Sequence, residues 1–298
     1  MKYVITGASG NTGKIVAEKL LEAGNEVIVI SRNPSNVKVL TDKGAIAAIG
    51  DLTDDTFLTN TFQGADAVYA LIPPVWVLQE SWRVFQRRIG TAITNALENS
   101  GVKHVVILSS MGSQMAPFGA GPVSGIGEWE HQLQNVEGLN VLALRPGYFL
   151  ENLYAYIPPI KEYGGFGAGL KSDLKIPFTH TRDIAETAIK HLSSLDFTGF
   201  SRAFVGGAAD YSMNEVAKVI GEAIGLPALS YTQYAAADSE QGMIGAGVPE
   251  QVAKGYVLLF EALNSGIYLS DYERTPENTT TTTLQDFAAE FAQVYKNS

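Results

Sequence analysis

The sequence predicts an α/β protein with a doubly wound parallel sheet and a smaller α+β lid or substrate subdomain towards the C-terminus. In the first half of the chain, short β-branched apolar runs alternate with helical patterns. The runs are continuously apolar, which is typical of parallel strands covered by helices on both faces. Right-handed crossovers between such strands give the doubly wound arrangement.

The predicted elements follow this alternation closely up to residue 150. The predicted strands are 2–6, 26–30, 46–49, 66–72, 103–108 and 139–144, and the predicted helices are 11–23, 57–62 and 79–99. Later we expect helices at 183–192 and 213–224, a strand at 202–205, and a last amphipathic helix with Leu284, Phe287, Phe291 and Val294 on one face.

The predicted domain boundaries lie where the alternation of strands and helices becomes irregular. Residues 1–150 are predicted to form the domain with the doubly wound parallel sheet, to which 177–227 return. Residues 151–176 and 228–275 are rich in Gly, Tyr and Ala and are predicted to form the lid, and 276–298 the C-terminal helix.

The net charge, the cysteine content and the apolar runs indicate which partners and which compartment to expect. The 298 residues carry a net charge of −10, so no general attraction to nucleic acid or to an anionic membrane is expected. Arg83, Arg87 and Arg88 form the densest basic group, which we interpret as a solvated helix face. The chain has no Cys, and we find no leader peptide and no long apolar run, which together favour a cytoplasmic protein.

A glycine-rich turn links the first strand to the first helix. It runs from Thr6 to Gly13 and includes Gly7, Ser9, Gly10, Asn11 and Thr12. Gly7 would permit a tight turn, Gly10 would let the backbone approach a pyrophosphate, and Gly13 would let the helix pack on the strand. The free N–H groups of the helix N-terminus suit phosphates, so we expect a Rossmann-type dinucleotide site here.

The end of the second strand bears on the choice of dinucleotide. NAD sites hold the ribose 2′-hydroxyl with an acid here, whereas this chain has Ser31 and Arg32. A guanidinium suits a 2′-phosphate, so NADP(H) is expected rather than NAD(H). The alternative is that Arg32 is a solvated loop cation.

Two further strand ends complete the expected cofactor site. Asp51 and Leu52 follow the third strand, where Asp51 could accept from the adenine amino group or could simply cap a turn. Leu71, Ile72 and Pro73 follow the fourth strand, towards the acceptor.

Several segments then carry a family resemblance. These segments are GASGNTGK, SRNP, GDLTD, LRPGYFLENL at 144–153, HTRDIAETA at 180–188, residues 205–227, and RTPENTTTTTLQDFA at 274–288. Together they resemble the NmrA-like family of atypical short-chain dehydrogenase/reductases. The resemblance spans nearly the whole chain. It implies either an NADPH-dependent reductase of quinones or other small aromatic or carbonyl compounds, or a regulatory protein that binds the dinucleotide without turning it over.

The proton-donor pair of the main short-chain dehydrogenases is absent. That pair is a Tyr with a Lys four residues later. No Tyr lies between Tyr69 and Tyr148, and no Lys lies between Lys103 and Lys161. This gap excludes the usual dehydrogenase mechanism but not reduction of a quinone, because the cofactor carries that chemistry.

Candidate catalytic residues therefore come from elsewhere. In the quinone reductases of the family, a His or Lys stands one turn before a helical Glu, and here that position is Ile126. We name His131, Ser109 and Tyr148 as candidate proton donors, with a surface position as the alternative for His131. Tyr148, Phe149, Tyr154 and Tyr156 could stack on a planar acceptor or simply pack in the core.

These observations predict an NADPH-dependent reductase of a quinone or other small aromatic or carbonyl acceptor, acting as a monomer or homodimer. The competing hypothesis is a dinucleotide-sensing regulatory protein. No metal site is expected, because the four histidines (104, 131, 180 and 191) lack ligand spacing.

Overall fold

The computed structural model describes residues 1–74, 80–119 and 121–298. Its strands are β1 (Lys2–Ile5), β2 (Glu26–Ser31), β3 (Ile46–Ile49), β4 (Ala67–Ala70), β5 (His104–Leu108), β6 (Asn140–Pro146), β7 (Tyr148–Phe149), β8 (Phe166–Ala168), β9 (Ile176–Thr179), β10 (Phe200–Val205), β11 (Asp210–Tyr211) and β12 (Tyr231–Gln233). In the described residues, seven parallel strands form the main sheet in the order β3-β2-β1-β4-β5-β6-β10. The predicted doubly wound parallel sheet is confirmed.

Helices connect most of these strands. They are α1 (Asn11–Glu22), α2 (Lys38–Thr41), α3 (Asp55–Phe62), α4 (Trp82–Ser100), α5 (Val123–Leu133), α6 (Ile157–Tyr163), α7 (Thr181–Ser194), α8 (Met213–Ala223), α9 (Ala236–Gly245), α10 (Glu250–Asn264) and α11 (Leu284–Asn297). The predicted start of the fourth helix, Gln79, lies outside the described residues. None of the helices in the described ranges is both long and apolar enough to cross a membrane.

Both faces of the main sheet are buried, as the apolar strands predict. One face packs against α1 and α7, where Val16, Leu20 and Ile184 are fully buried. The other packs against α3, α4 and α5, where Leu58, Ile93 and Trp129 are buried. The strand order reverses between β1 and β4, and a crevice at that point is where doubly wound folds bind ligands.

The two segments predicted to form the lid meet in space. β8, from the first segment, pairs in parallel with β12, from the second. Helix α10 reaches the start of α4, where the side chain of Gln251 accepts from the Trp82 N–H and donates to the Glu80 carbonyl. These segments therefore lie over the carboxyl ends of the main strands.

The threonine run near the C-terminus joins this region to the sheet. The buried carboxylate of Asp183, in α7, accepts hydrogen bonds from the hydroxyls of Thr280 and Thr282. Thr283 then caps α11, which buries Leu284, Phe287 and Phe291. Val294, predicted on the same face, is 41% exposed, whereas the next residue, Tyr295, packs against the core.

Candidate functional site

The glycine-rich turn leaves a helix N-terminus open at the sheet edge. Gly7 has a φ of +62°, which favours glycine, and its carbonyl accepts the Gly10 N–H at 2.9 Å. Gly10 is the N-cap of α1, and no side chain among the residues that the structure describes caps the helix. The first N–H groups of α1 have no intrahelical partner, and Ser9, Gly10 and Asn11 are exposed. An anion can therefore reach these N–H groups.

The same turn packs tightly on its inner side. A Cβ on Gly13 would overlap the carbonyl of Gly7, so the close approach of helix and strand requires glycine here. Thr12 is buried, and its hydroxyl accepts from Tyr69 at 3.0 Å. Sequence analysis missed this contact, because the two residues lie on different elements, 57 positions apart.

Arg32 stands exposed beside the end of β2. Ser31 is buried and its hydroxyl donates to the Asn33 carbonyl, which shapes the turn that presents Arg32. Within the described part of the chain, the Arg32 guanidinium has no hydrogen bond or ion pair, although it lies close enough to affect Asp51. It is therefore free to bind an anion.

Asp51 caps its own turn in this structure. Its carboxylate accepts from the N–H of Thr53 at 2.9 Å and from the Thr53 hydroxyl at 2.8 Å. Burial raises the pKa of Asp51, but these bonds and the charges of Arg32 and Arg88 outweigh it and lower the pKa. The carboxylate keeps a second oxygen for another donor, and Leu52 beside it is partly buried.

Leu71, Ile72 and Pro73 leave β4 next to the glycine-rich turn. Leu71 and Ile72 are each 8% exposed, Pro73 is partly exposed, and the Leu71 N–H donates to the Thr6 hydroxyl at 2.9 Å. The Leu71 side chain fills the space where a Cβ on Gly7 would stand. This segment thus borders the path from the turn towards β5.

A buried ion pair lies behind the end of β5. Glu130 and Arg145 are each 2% exposed, and two guanidinium nitrogens bond the carboxylate at 2.9 and 2.6 Å. Ser109 donates to the same carboxylate, and Arg145 also bonds Asp271 at 2.6 Å. The Ser109 hydroxyl is therefore engaged within the protein. The sequence alone does not indicate this pair, because Glu130 and Arg145 lie on different elements.

His131 is exposed, unlike its neighbour Glu130. It stands in the last turn of α5, and the chain then leads to the beginning of β6. One residue along a helix turns a side chain by about 100°, so His131 does not share the direction of Glu130, whose carboxylate bonds Ser109 and Arg145. His131 therefore lies in solvent and not with the other candidate residues.

Tyr148 opens onto a group of tyrosines at the carboxyl ends of β5 and β6. Burial raises its pKa well above the ordinary value, with smaller contributions from Tyr156, Tyr256 and Tyr268. Tyr154 lies apart, stacked on Phe291 at 5.7 Å within the core, so it has the packing role. The tyrosine group is thus the aromatic surface closest to the strand ends.

The basic group on α4 is paired with acids. Arg83 and Arg87 bond Glu128, and Arg88 bonds Glu80. A surface cavity of about 420 Å³ beside them is lined by Thr53, Asp55, Val84, Arg87, Arg88, Thr91, Ala92 and Asn95. It lies on the Asp51 side, away from the tyrosines, so we do not take it as the place where an acceptor reacts.

Comparison with known proteins places this geometry in a family. The model of the NmrA-like family matches residues 2–287. An NAD(P)H azoreductase from Xenophilus azovorans is 30% identical over 295 residues, covering 98% of this chain and 97% of the relative.

Two solved structures show the same fold. An NADPH-dependent quinone oxidoreductase from Escherichia coli, complexed with NADPH, has a TM-score of 0.76 at 22% identity, covering 97% of this chain and 99% of that one. A triphenylmethane reductase from Citrobacter has a TM-score of 0.78 at 17% identity, covering 98% and 100%. With the family model across nearly its whole length, the chain belongs to the NmrA-like family.

Proposed function

We propose that the protein is an NADPH-dependent reductase of a small aromatic acceptor such as a quinone or an azo compound. The observation that carries the proposal is the open N-terminus of α1 at the strand-order reversal, with Arg32 beside it, which bonds none of the described residues. The similarity to an NAD(P)H azoreductase along 98% of the chain supports the acceptor class.

The residues around the turn fit a dinucleotide. The N–H groups that follow Gly10 would bind the pyrophosphate, and Asn11 and Thr12 begin the helix that supplies them. Arg32 would bind a 2′-phosphate, which favours NADP(H) over NAD(H), and Ser31, whose hydroxyl donates to the Asn33 carbonyl, would hold the turn that presents Arg32. Asp51 and Leu52 would contact the adenine, and Leu71, Ile72 and Pro73 would border the nicotinamide end.

The acceptor would lie beside the tyrosines at the ends of β5 and β6. NADPH, when bound, supplies the reducing equivalents, so the protein mainly has to hold a planar acceptor in place. Tyr148 offers an aromatic face for stacking. Ser109 is a poor proton donor because its hydroxyl already donates to Glu130, so we expect solvent or a neighbouring hydroxyl to supply protons.

Acceptor-dependent oxidation of NADPH tests this proposal. A quinone gains protons readily from water after reduction, whereas a simple ketone gains about 10²–10⁴-fold from a positioned acid. We therefore expect turnover of quinones or azo dyes and little turnover of aliphatic ketones. NADPH binding without oxidation by any of these acceptors would favour a dinucleotide-sensing regulatory protein instead.

A further inference from the structure

Tyr268 reaches the end of β5 from the far end of the chain. It lies in a short 3-10 turn, Ile267–Leu269, that follows α10, and it is 6% exposed. Its hydroxyl lies 2.9 Å from the hydroxyl of Ser110, which is 158 residues earlier in the sequence. Ser110 is the second residue after β5.

The protein builds a specific place for this ring. Gly112 has a φ of +82°, and a Cβ there would overlap the ring of Tyr268. The Gln114 side chain donates to the Tyr268 carbonyl at 3.1 Å. The backbone and the ring are thus both held by the loop that follows Ser110.

The hydroxyls of Ser110 and Tyr268 carry one proton more than the hydrogen bond between them uses. Ser110 and Tyr268 carry one hydroxyl proton each, and the single bond between them uses one. When Ser110 donates, the phenol proton is left for another acceptor. Burial raises the pKa of Tyr268 to about 12, against a smaller lowering by the bond with Ser110. The phenol therefore stays neutral and able to donate throughout the physiological range.

The Ser110–Tyr268 pair lies close to Tyr148. The chain after Ser110 runs beside β6, because the Met111 N–H donates to the Pro146 carbonyl at 3.0 Å, and Tyr148 follows two residues later. Tyr268 is also close enough to Tyr148 to contribute to its electrostatic environment. The Tyr148 ring and the Tyr268 hydroxyl thus lie together at the carboxyl ends of β5 and β6.

We propose that Tyr268, oriented by Ser110, donates a hydrogen bond to the heteroatom of the acceptor, a quinone carbonyl oxygen or an azo nitrogen. This inference rests on the proposed function. It makes Tyr268 an acceptor-binding residue supplied by the C-terminal part of the chain, and it selects aromatic molecules that carry a hydrogen-bond acceptor on the ring system.

Equilibrium binding tests the inference. The full chain, saturated with NADP⁺, is titrated with menadione and with methylnaphthalene, which lacks the carbonyl oxygens, and tryptophan fluorescence is followed. In Tyr268→Phe we expect menadione to bind roughly threefold to tenfold more weakly, with methylnaphthalene unchanged. Ser110→Ala should weaken menadione binding in the same direction.

A matched control separates this role from general damage. Tyr231 is a buried tyrosine of the lid whose hydroxyl donates to the carbonyls of Ala168 and Leu170. Tyr231→Phe should bind menadione like the wild type. Equal menadione affinity in Tyr268→Phe and wild type would overturn the inference, as would equal weakening of both ligands.

Two results keep this inference distinct from the proposed function. If the wild type binds and reduces menadione while Tyr268→Phe binds it unchanged, only the role of Tyr268 fails. If the wild type binds NADPH but neither binds nor reduces any quinone or azo dye, the proposed function fails and this inference with it. Should Tyr268→Phe not fold, unchanged menadione affinity in Ser110→Ala would still overturn the inference.

Discussion

Arg145 and Glu130 form a buried, two-pronged ion pair that joins four parts of the chain. Arg145 lies in β6 and Glu130 in α5, and each side chain is 2% exposed. Ser109, after β5, donates to the carboxylate, and Asp271, after α10, bonds the guanidinium. The position of Ser110 and Tyr268 therefore depends on a charged group that is fully enclosed.

Removing one partner of this pair should be costly. In Glu130→Ala the guanidinium of Arg145 loses its buried partner, so we expect the free energy of unfolding to fall by about 3–5 kcal/mol in urea titrations. Glu128→Ala, on the same helix, breaks partly exposed pairs with Arg83 and Arg87 and should cost no more than about 1 kcal/mol. Equal losses in the two variants would contradict this view of the pair.

Substitutions at two glycines of the turn should have different effects on stability and on NADPH binding. A Cβ on Gly10 would meet only the Gly7 carbonyl, at 3.3 Å, and its backbone suits any residue. Gly10→Val should keep the fold to within about 1 kcal/mol while abolishing NADPH binding, because the side chain would stand where the pyrophosphate approaches.

Gly13→Ala should lose stability as well, by about 1–3 kcal/mol, because its Cβ overlaps the Gly7 carbonyl. Gly242→Ala, in α9 with open space around it, is the control: it should leave NADPH binding unchanged and raise stability by about 0.5–1 kcal/mol, because alanine favours the helix over glycine. Urea unfolding and NADPH titration measure both effects. Tight NADPH binding by Gly10→Val would mean that the pyrophosphate lies elsewhere.

The main sheet could be predicted from sequence because its signals are local. Apolar runs such as 26–30 and the glycines at 7 and 13 each act through neighbours in the sequence. Glu130 and Tyr268 could not be predicted, because their partners, Arg145 and Ser110, are brought to them only by the folded chain. His131 is a candidate by residue type alone, and its alternative, a surface position, agrees with its exposure.

Arg32 should determine the preference for NADP(H). A charged, two-pronged bond to a 2′-phosphate contributes about 1.5–3 kcal/mol, so Arg32→Ala should lower the preference for NADPH over NADH about tenfold or more. Lys43→Ala removes an exposed charge that pairs with Glu18 and is the control for net charge. Fluorescence titration measures the affinities for NADPH and NADH. Equal affinities for the two cofactors in the wild type would refute this assignment.

The tyrosines should make the fold sensitive to alkali. Burial raises the pKa of Tyr256 and Tyr268 to about 12, above the value of about 10 in an unfolded chain. Their contribution to stability is complete below pH ~10 and is lost as the pH rises towards ~12, because the unfolded chain then ionises first.

Urea unfolding at a series of pH values measures this loss. The free energy of unfolding should fall steeply above pH ~10. Tyr268→Phe should reduce that slope by up to about 1.4 kcal/mol per pH unit, since one fewer phenol ionises on unfolding. A wild-type stability that stays constant from pH ~9 to pH ~11.5 would show that these hydroxyls are not buried.

The most direct test of the account is the absorbance of NADPH when the purified chain is mixed with it and with menadione, an azo dye or an aliphatic ketone. We expect the oxidation of NADPH to depend on menadione or the dye and to be slow with the ketone. With menadione or the dye, NADPH should be oxidised faster than NADH. NADPH that binds but is oxidised by neither menadione nor the dye would contradict a reductase of aromatic acceptors, and fast reduction of the ketone would reveal a proton donor that this account lacks.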